Sequence, residues 1–323
     1  MIDHSKCFQV PSDAARVRLD RYLLELEPGQ SRSQIQGWIR SGSVLVNNSR
    51  TKTGYLLRPG DVISLQLKLA SPQLQPQPEN IPLHVIYQDE DLAVVDKPAG
   101  LVCHAGAGVP SGTLVNALLY HLGPLQTGDA LRPGIVHRLD KLTSGLLVIA
   151  KNLETHRALA RQFKSRQVKK EYLALVYGRP IPPAGTIDMP LGRDLRDRKK
   201  ISVRSRRRRA AVTHYREAGD YGPFSLLRVR IETGRTHQIR VHLAQMGHPV
   251  AGDILYGGNR SRNLADARLR SAVRDLRRHF LHAQRLEFRH PRTGENLSFT
   301  AGLPPELTDF LILLQHHNSE ANT

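Results

Sequence analysis

The chain has 323 residues, which is enough for about two domains and for a hydrophobic core without disulfide or metal support. It carries 47 Lys and Arg against 29 Asp and Glu, and a formal net charge of +18 favours a polyanionic partner, above all nucleic acid. Two cysteines, Cys7 and Cys103, exclude a disulfide framework and cannot fill a four-ligand zinc site. Because no apolar run is long enough to span a bilayer and the N-terminus lacks a secretory pattern, we expect a cytoplasmic protein without a membrane partner.

The first 70 residues have the pattern of a small α/β module with a basic face. Apolar residues recur at helical spacing between 19 and 26, and Ser31 is a candidate cap for a second helix that ends at Ser41-Gly42. Apolar runs at 44–46 and 62–67, separated by turns, predict strands. The basic residues near the turns that we take as candidate RNA contacts are Arg32, Arg40 and Lys52.

Residues 71–80 are rich in proline and glutamine, which predicts an extended linker because proline disfavours helix and cannot donate to a β-ladder. The linker separates the module at 1–70 from a body at 81–323. In the body, predicted strands outnumber helices without β-α-β alternation, so we expect an α+β fold with a mixed, mostly antiparallel central sheet and flanking helices. The predicted elements are a hairpin at 83–97, strands at 145–150, 171–176, 224–232 and 284–289, and helices at 113–122, 153–167 and 305–316.

Residues 193–209 contain ten Lys and Arg against two Asp. Such a run does not pack into a core, so it forms either a solvated, mobile loop or a surface that contacts phosphates directly. Charge of this kind gives affinity rather than sequence choice. The candidate contacts are Arg206, Arg207 and Arg208.

Three segments concentrate side chains capable of chemistry. In 134–145, Asp140 lies between an apolar approach and a buried strand, where a carboxylate needs a cation or hydrogen-bond donors. The segment 232–242 is rich in arginine and histidine and is followed by Gly252-Asp253. In 169–172, the phenol of Tyr172 enters an apolar strand behind a basic helix.

The sequence lacks residues that several other reactions require. Asp140 has no acidic partner in its own motif, as a glycosidase would need, and neither a zinc-deaminase pattern nor a P-loop is present. His237 and His242 stand five residues apart, a poor fit to one helix face, so we expect no metal. A single carboxylate among arginines fits a reaction on a nucleotide that needs no cofactor.

These motifs, taken together and in order, resemble the RluA/RluD-type pseudouridine synthases, while the first 70 residues resemble an S4-type RNA-binding domain. The combination is typical of the large-subunit ribosomal RNA subgroup. The resemblance is carried by Arg18-Leu19-Asp20-x-x-Leu23, Lys97 to Leu101, His137 to Gly145, Gly234 to His242, Gly247-His248-Pro249, Gly252-Asp253 and Tyr256-Gly257. The chain departs from the usual pattern at Leu142 and at Cys103-His104-Ala105, which affects loop packing or substrate fit but no catalytic group.

The resemblance implies an enzyme that detaches uracil from C1′ of a uridine, rotates it and rejoins it through C5. Asp140 corresponds to the essential aspartate, either as nucleophile or as base, and Arg240 is expected to pair with it. Tyr172 is expected to stack on the uracil and Ile239 to form an apolar wall. Arg138 is expected to hold the flipped nucleotide. Further candidate substrate contacts are His137, as a contact or a structural support, and Arg235, as a scaffold, phosphate or catalytic residue.

The expected partner is RNA, and the protein is expected to be a monomer. The RNA is either free or part of an assembling large-subunit particle. Loops and single strands are favoured because their bases unstack readily. Large-subunit ribosomal RNA is the first substrate hypothesis and transfer RNA the second. A protein that keeps the fold but acts only as an RNA chaperone or assembly factor is the non-enzymatic alternative.

Overall fold

The computed structural model describes residues 5–27, 32–66, 75–106, 109–197 and 200–321. The predicted cap Ser31 and the first part of the predicted linker, 71–74, lie outside these ranges. The chain divides into two units, Met1–Pro76 and Gln77–Thr323, at a position within the predicted linker segment.

The first unit is a four-stranded antiparallel sheet, in the order β1-β4-β2-β3, with two helices. Its elements are β1 (Ser5–Gln9), α1 (Leu19–Leu26), α2 (Arg32–Ser41), β2 (Val44–Val46), β3 (Ser49–Arg50) and β4 (Val62–Gln66). Leu19 and Leu23 from α1 and Ile35 and Ile39 from α2 are buried together with strand residues such as Ile63. Because their spacing puts them on one stripe of each helix, the predicted helical pattern is confirmed.

The second unit is built on a nine-stranded sheet with helices against it. The strands of this unit are β5 (His84–Gln88), β6 (Leu92–Lys97), β7 (Ser144–Ala150), β8 (Lys169–Tyr177), β9 (Ala184–Asp188), β10 (Gly192–Arg193), β11 (Ile201–Ser202), β12 (Val212–Asp220), β13 (Phe224–Ile231), β14 (Leu281–Arg289) and β15 (Asn296–Thr300). Of these, β10 and β11 form a separate two-stranded sheet, and the other nine form the large one. Its helices are α3 (Leu114–Leu122), α4 (Leu153–Lys164), α5 (Gln238–Gln245), α6 (Ile254–Gly257), α7 (Ala267–Asp275) and α8 (Pro305–Ala321).

The strand order in the large sheet is β5-β6-β7-β14-β8-β13-β12-β9, with β15 also paired to β14. The β7–β14 pair is parallel and the other pairs are antiparallel. The α+β class with a mixed, mostly antiparallel sheet is therefore confirmed. The parallel pair joins Ser144 and Gly145, the last residues of the segment that carries Asp140, to residues 282–283, which are distant in sequence.

Both faces of the sheet are buried at β6 and β7, as the continuous apolar runs of these strands require. Val94 and Val148 point to the face that Leu159 of α4 covers. Val95 and Ile149 point to the other face, where α3, α5, α7 and α8 contribute buried residues. Central strands covered on both sides form the rigid base from which the site loops extend.

Several predicted features differ in extent from the structure; helix α8, for instance, continues to Ala321 rather than ending at 316. Helix α4 ends at Lys164 rather than at 167, because Arg166 adopts a left-handed φ of 61° that a continuing helix does not allow. The basic stretch 193–209 is not a simple loop, since β10 and β11 form a short hairpin within it. Among the described residues, no helix is both long and apolar enough to cross a membrane.

Candidate active site

The loop that carries Asp140 is held by a glycine at each end. Gly134 has a φ of 78°, and a Cβ there would lie 2.7 Å from Ile149 Cγ2 and 2.9 Å from Ala150 O. Gly145 has a φ of 117°, and a Cβ there would collide with the backbone of Ala283. Only glycine combines these backbone conformations with such close approach, so both ends of the loop are fixed against the sheet.

Asp140 lies at the partly open edge of the core and forms an ion pair with Arg240. Arg240 Nη1 donates to Asp140 Oδ2 at 3.0 Å, and the carboxylate side chain retains 16% exposure. Arg240 is in the first turn of α5 and is almost fully buried. The predicted pair is therefore present, and the carboxylate is both held by a cation and accessible from solvent.

Asp253 orients Arg240 from the other side. Arg240 Nε donates to Asp253 Oδ2 at 2.6 Å and Nη2 donates to Oδ1 at 2.9 Å, a two-point contact that fixes the plane of the guanidinium. Burial opposes the charge of Arg240, yet the hydrogen bonds and charge of Asp253, with Asp140, raise its pKa above the usual range. Asp253 also accepts from the backbone N–H of Leu255 and Tyr256 and so caps α6.

Tyr172 and Ile239 are both buried in the same core cluster. Burial, together with the charge of Asp140, raises the pKa of the Tyr172 hydroxyl well above its usual range, so the phenol stays neutral. Among the described residues, none hydrogen-bonds to that hydroxyl. Arg138, two residues before Asp140, is exposed.

His137 and Arg235 both contact the protein itself. The Nε2 atom of His137 accepts from the backbone N–H of Val148 at 3.1 Å, and its ring stacks on Phe163. Arg235 is exposed, and its Nε donates to Ala210 O at 3.2 Å. These contacts fit supporting roles, and direct contact of either residue with substrate stays a prediction.

His237 and Tyr256 form a second layer around the pair. Tyr256 lies beneath Arg240, with the guanidinium carbon 5.1 Å from the ring centroid. Its hydroxyl is 2.8 Å from His237 Nδ1 and accepts from Ile201 N at 2.9 Å, which ties β11 of the basic hairpin to this wall. His237 Nε2 lies 3.9 Å from Asp140 Oδ1.

Lys97 is a positioning residue whose role the motif at 97–101 does not reveal. It is fully buried, and its ammonium donates to three backbone carbonyls, those of Pro98, Leu101 and Lys141, at 2.7, 3.0 and 3.2 Å. Burial lowers its pKa to about 8. Because Lys141 follows Asp140 directly, Lys97 joins the loop after β6 to the loop that carries the carboxylate.

Comparison with known proteins identifies this arrangement. The RNA pseudouridylate synthase family matches residues 91–245, and the S4 domain matches residues 17–63. The chain is 43% identical to the ribosomal large subunit pseudouridine synthase D of Xanthomonas campestris pv. campestris, over 97% of this chain and 93% of that protein. It belongs to the RNA pseudouridine synthase family.

Other relatives of the synthase agree with this assignment. The Pseudomonas aeruginosa protein of the same name is 42% identical over 95% of each chain. Among solved structures, the synthase resembles human RNA pseudouridylate synthase domain containing 1, with a TM-score of 0.55 and 28% identity over 72% of this chain and 89% of that one.

In the S4 domain of the synthase, one buried carboxylate holds two arginines in place. Asp20 is fully buried and accepts hydrogen bonds from Arg18, Arg32 and Gln36. The hydrogen bond from Arg18 is the main cause that holds the pKa of Asp20 well below its usual range, although burial opposes it. Arg18 and Arg32 remain about half exposed, so their free N–H groups face solvent in a fixed orientation.

The remaining predicted RNA contacts are placed on the surface. Arg40 and Lys52 are exposed, and Lys52 lines a concave surface of the S4 domain together with Arg18 and Arg50. The basic residues Arg206, Arg207 and Arg208 are also exposed. Their contact with RNA stays a prediction.

One group of residues has the composition of a metal site but is already saturated. Asp89, Asp91 and His290 lie within ligand distance of one another. Asp89 accepts from Tyr87 and His290, and Asp91 accepts from Arg292 and Asn152. The cluster links two hairpin turns through hydrogen bonds, with the Arg292 guanidinium supplying the positive charge.

Three histidines predict that the synthase loses stability in mild acid, of which His279 and His282 are buried and His137 is half-buried. Burial is the main cause that lowers the pKa of His137 and His279 to about 3 and that of His282 to about 4. Unfolded histidines titrate near pH 6.5, so below that pH the unfolded chain takes up protons that the folded chain does not. The free energy of unfolding should therefore fall between about pH 6.5 and pH 4.

Urea unfolding at pH 7.5, 6.0 and 5.0 measures this effect. His279→Gln should lower the pH dependence by about 1.4 kcal/mol per pH unit in that window, the value for one proton. His316→Gln is the matched control, because His316 is exposed on α8. Equal stability at pH 7.5 and 5.0 would contradict the prediction.

Proposed function

We propose that this synthase converts specific uridines of large-subunit ribosomal RNA to pseudouridine, with Asp140 as the catalytic residue. The observation that carries the proposal is the 3.0 Å contact of Arg240 with a carboxylate that is still partly open to solvent. The target RNA is supported by relatives from two bacterial genera that carry the name ribosomal large subunit pseudouridine synthase D at over 40% identity.

In the proposed reaction, the bond between C1′ and N1 breaks, the uracil rotates, and C5 bonds to C1′. C5 then loses its proton, and N1, freed from the sugar, takes one up. Asp140 acts either as a nucleophile toward the sugar or ring, or as a base that also stabilises a charged intermediate. Arg240 holds the carboxylate in one orientation, and Asp253 fixes Arg240. Asp140, Arg240 and Asp253 already contact one another, which would lower the free-energy cost of assembling the reacting geometry.

The uridine must leave its stack to reach Asp140, which costs a few kcal/mol. We propose that exposed Arg138 holds the extruded nucleotide or fills the gap that it leaves. Tyr172 and Ile239 then enclose the uracil between a neutral ring and an apolar wall. A neutral phenol suits this contact, since it stacks on the base and can donate a hydrogen bond without carrying charge.

We further propose that the residues at 1–70 form an RNA-binding domain, that 71–80 is a linker and that 81–323 is the catalytic domain. Arg32, Arg40, Lys52 and the basic residues at 206–208 would bind phosphates, which adds affinity without choosing the site. The synthase is proposed to act as a cytoplasmic monomer, on free RNA or on an assembling large-subunit particle.

Pseudouridine mapping in cells with and without the gene tests the function. We expect one cluster of pseudouridines to disappear from large-subunit ribosomal RNA and to return with the native gene but not with Asp140→Asn. Loss from transfer RNA instead would support the second substrate hypothesis. Unchanged maps in both RNA pools would contradict the enzymatic proposal and favour the RNA chaperone.

A further inference from the structure

Lys170 is a buried cation that the proposed mechanism does not use. It is on β8, two residues before Tyr172, so both side chains point to the same face of the sheet. Only 9% of Lys170 is exposed. Within the described part of the chain, no carboxylate forms an ion pair with its ammonium and no atom accepts a hydrogen bond from it.

The side chains around Lys170 include an aromatic ring that contacts its ammonium, but no carboxylate that balances its positive charge. Its Nζ atom lies 5.5 Å from the centroid of the Phe163 ring, a cation–π contact. Burial lowers the pKa of the ammonium to about 8, so most of it is still charged at neutral pH. The carboxylates of Glu171 and Glu287 do not compensate it, because Glu171 pairs with Arg228 and Glu287 pairs with Lys169.

The ammonium of Lys170 lies beside the exposed loop that leads into α5. A Cβ built on Gly234 would be 3.9 Å from Lys170 Nζ. Gly234, Arg235 and Thr236 are exposed, and α5 begins at Gln238. The first N–H groups of a helix lack partners within the helix and favour an anion, although here the N–H of Gln238 donates to Arg235 O and the N–H of Arg235 donates to Gln238 Oε1. An unpaired buried ammonium and a helix start thus flank the same loop.

We infer that Lys170 and the Gly234–Thr236 loop form a binding site for one phosphodiester of the RNA, next to the extruded uridine. This inference rests on the proposed function, because it places the backbone of the same nucleotide chain whose base meets Tyr172 and Asp140. A phosphate there supplies the negative charge that the protein does not provide.

Lys170→Met tests this site because it removes the charge and keeps a flexible chain of similar length against Phe163. On the transcript identified by mapping, we expect KM and Kd to rise about tenfold, the effect of one lost charged hydrogen bond. The slope of log Kd against log KCl concentration should fall by about 0.7 in magnitude, as for one phosphate contact on a single strand.

Lys169→Met is the matched control, since the neighbouring Lys169 is exposed on the opposite face. If the two variants fold and bind the transcript alike, with the same salt slope, the site is wrong. If Lys170→Met does not fold, the native synthase is tested with short RNAs in which uncharged methylphosphonates replace single linkages around the target uridine. One linkage should then weaken binding about tenfold, and no effect at any linkage would overturn the inference.

The proposed function and the phosphate site can be disproved independently of each other. A native synthase that forms no pseudouridine in any RNA contradicts the function, and the Kd values of the native protein and the two lysine variants for a fragment of large-subunit ribosomal RNA then still decide the phosphate site.

Discussion

Replacing Asp140 with Asn is expected to lower pseudouridine formation by about a thousandfold or more while RNA affinity stays within a few-fold. Asparagine has nearly the shape of aspartate, so it still accepts a hydrogen bond from Arg240 Nη1. It has no negative charge and is neither a comparable nucleophile nor a base. The change therefore removes the chemistry and leaves the loop and the surfaces that bind RNA intact.

Single-turnover formation of pseudouridine in a transcript, with Kd measured in parallel, checks this result. Asp309→Asn is the control for loss of one negative charge, because Asp309 is exposed on α8. If Asp140→Asn retains more than a tenth of the native rate, the proposed role of Asp140 is wrong.

Replacing Arg240 with Met is expected to cost about 3–5 kcal/mol in the free energy of unfolding and to abolish turnover. Asp253 is fully buried, and both of its oxygens accept from Arg240, so the variant leaves a buried carboxylate without its cation. Asp140 loses its nearest cation in the same step. Stability and activity should therefore fall together.

Urea unfolding with activity measured in the folded range separates the two effects. Arg268→Met is the control, since the pair of Arg268 with Glu320 is on the surface and contributes about 1 kcal/mol or less. A double variant, Arg240→Met with Asp253→Asn, should recover part of the stability but none of the activity. An unchanged unfolding free energy in Arg240→Met would show that the buried contacts are not formed.

Elements with a strong local pattern could be predicted from the sequence. The helical spacing around Leu19 and Leu23 and the apolar run of β7 locate their elements within a residue or two. The short strands β10 and β11 and the four-residue helix α6 could not, because pairing and capping by distant residues form them. In α6, for example, the cap is Asp253, whose carboxylate also holds Arg240.

The centre of the site was predictable and its support was not. The motif resemblance pointed to Asp140 with Arg240, a hundred residues apart, and the structure places them in contact. The roles of Asp253, Tyr256 and Lys97 depend on which side chains the fold brings together, and residue type alone does not show this. Their positions within the quoted motifs were the only available signal.

The glycines at the two ends of the Asp140 loop determine whether the protein or the RNA must change shape on binding. With Gly134 and Gly145 packed against backbone and side chains, this loop has little freedom to follow a substrate that arrives in the wrong conformation. Deformation then falls mainly on the nucleic acid, which must present its uridine to a nearly stationary carboxylate. The synthase would then select RNAs by the free-energy cost of deforming them. Hairpin loops and junctions should therefore bind better than perfect duplexes with the same sequence around the uridine.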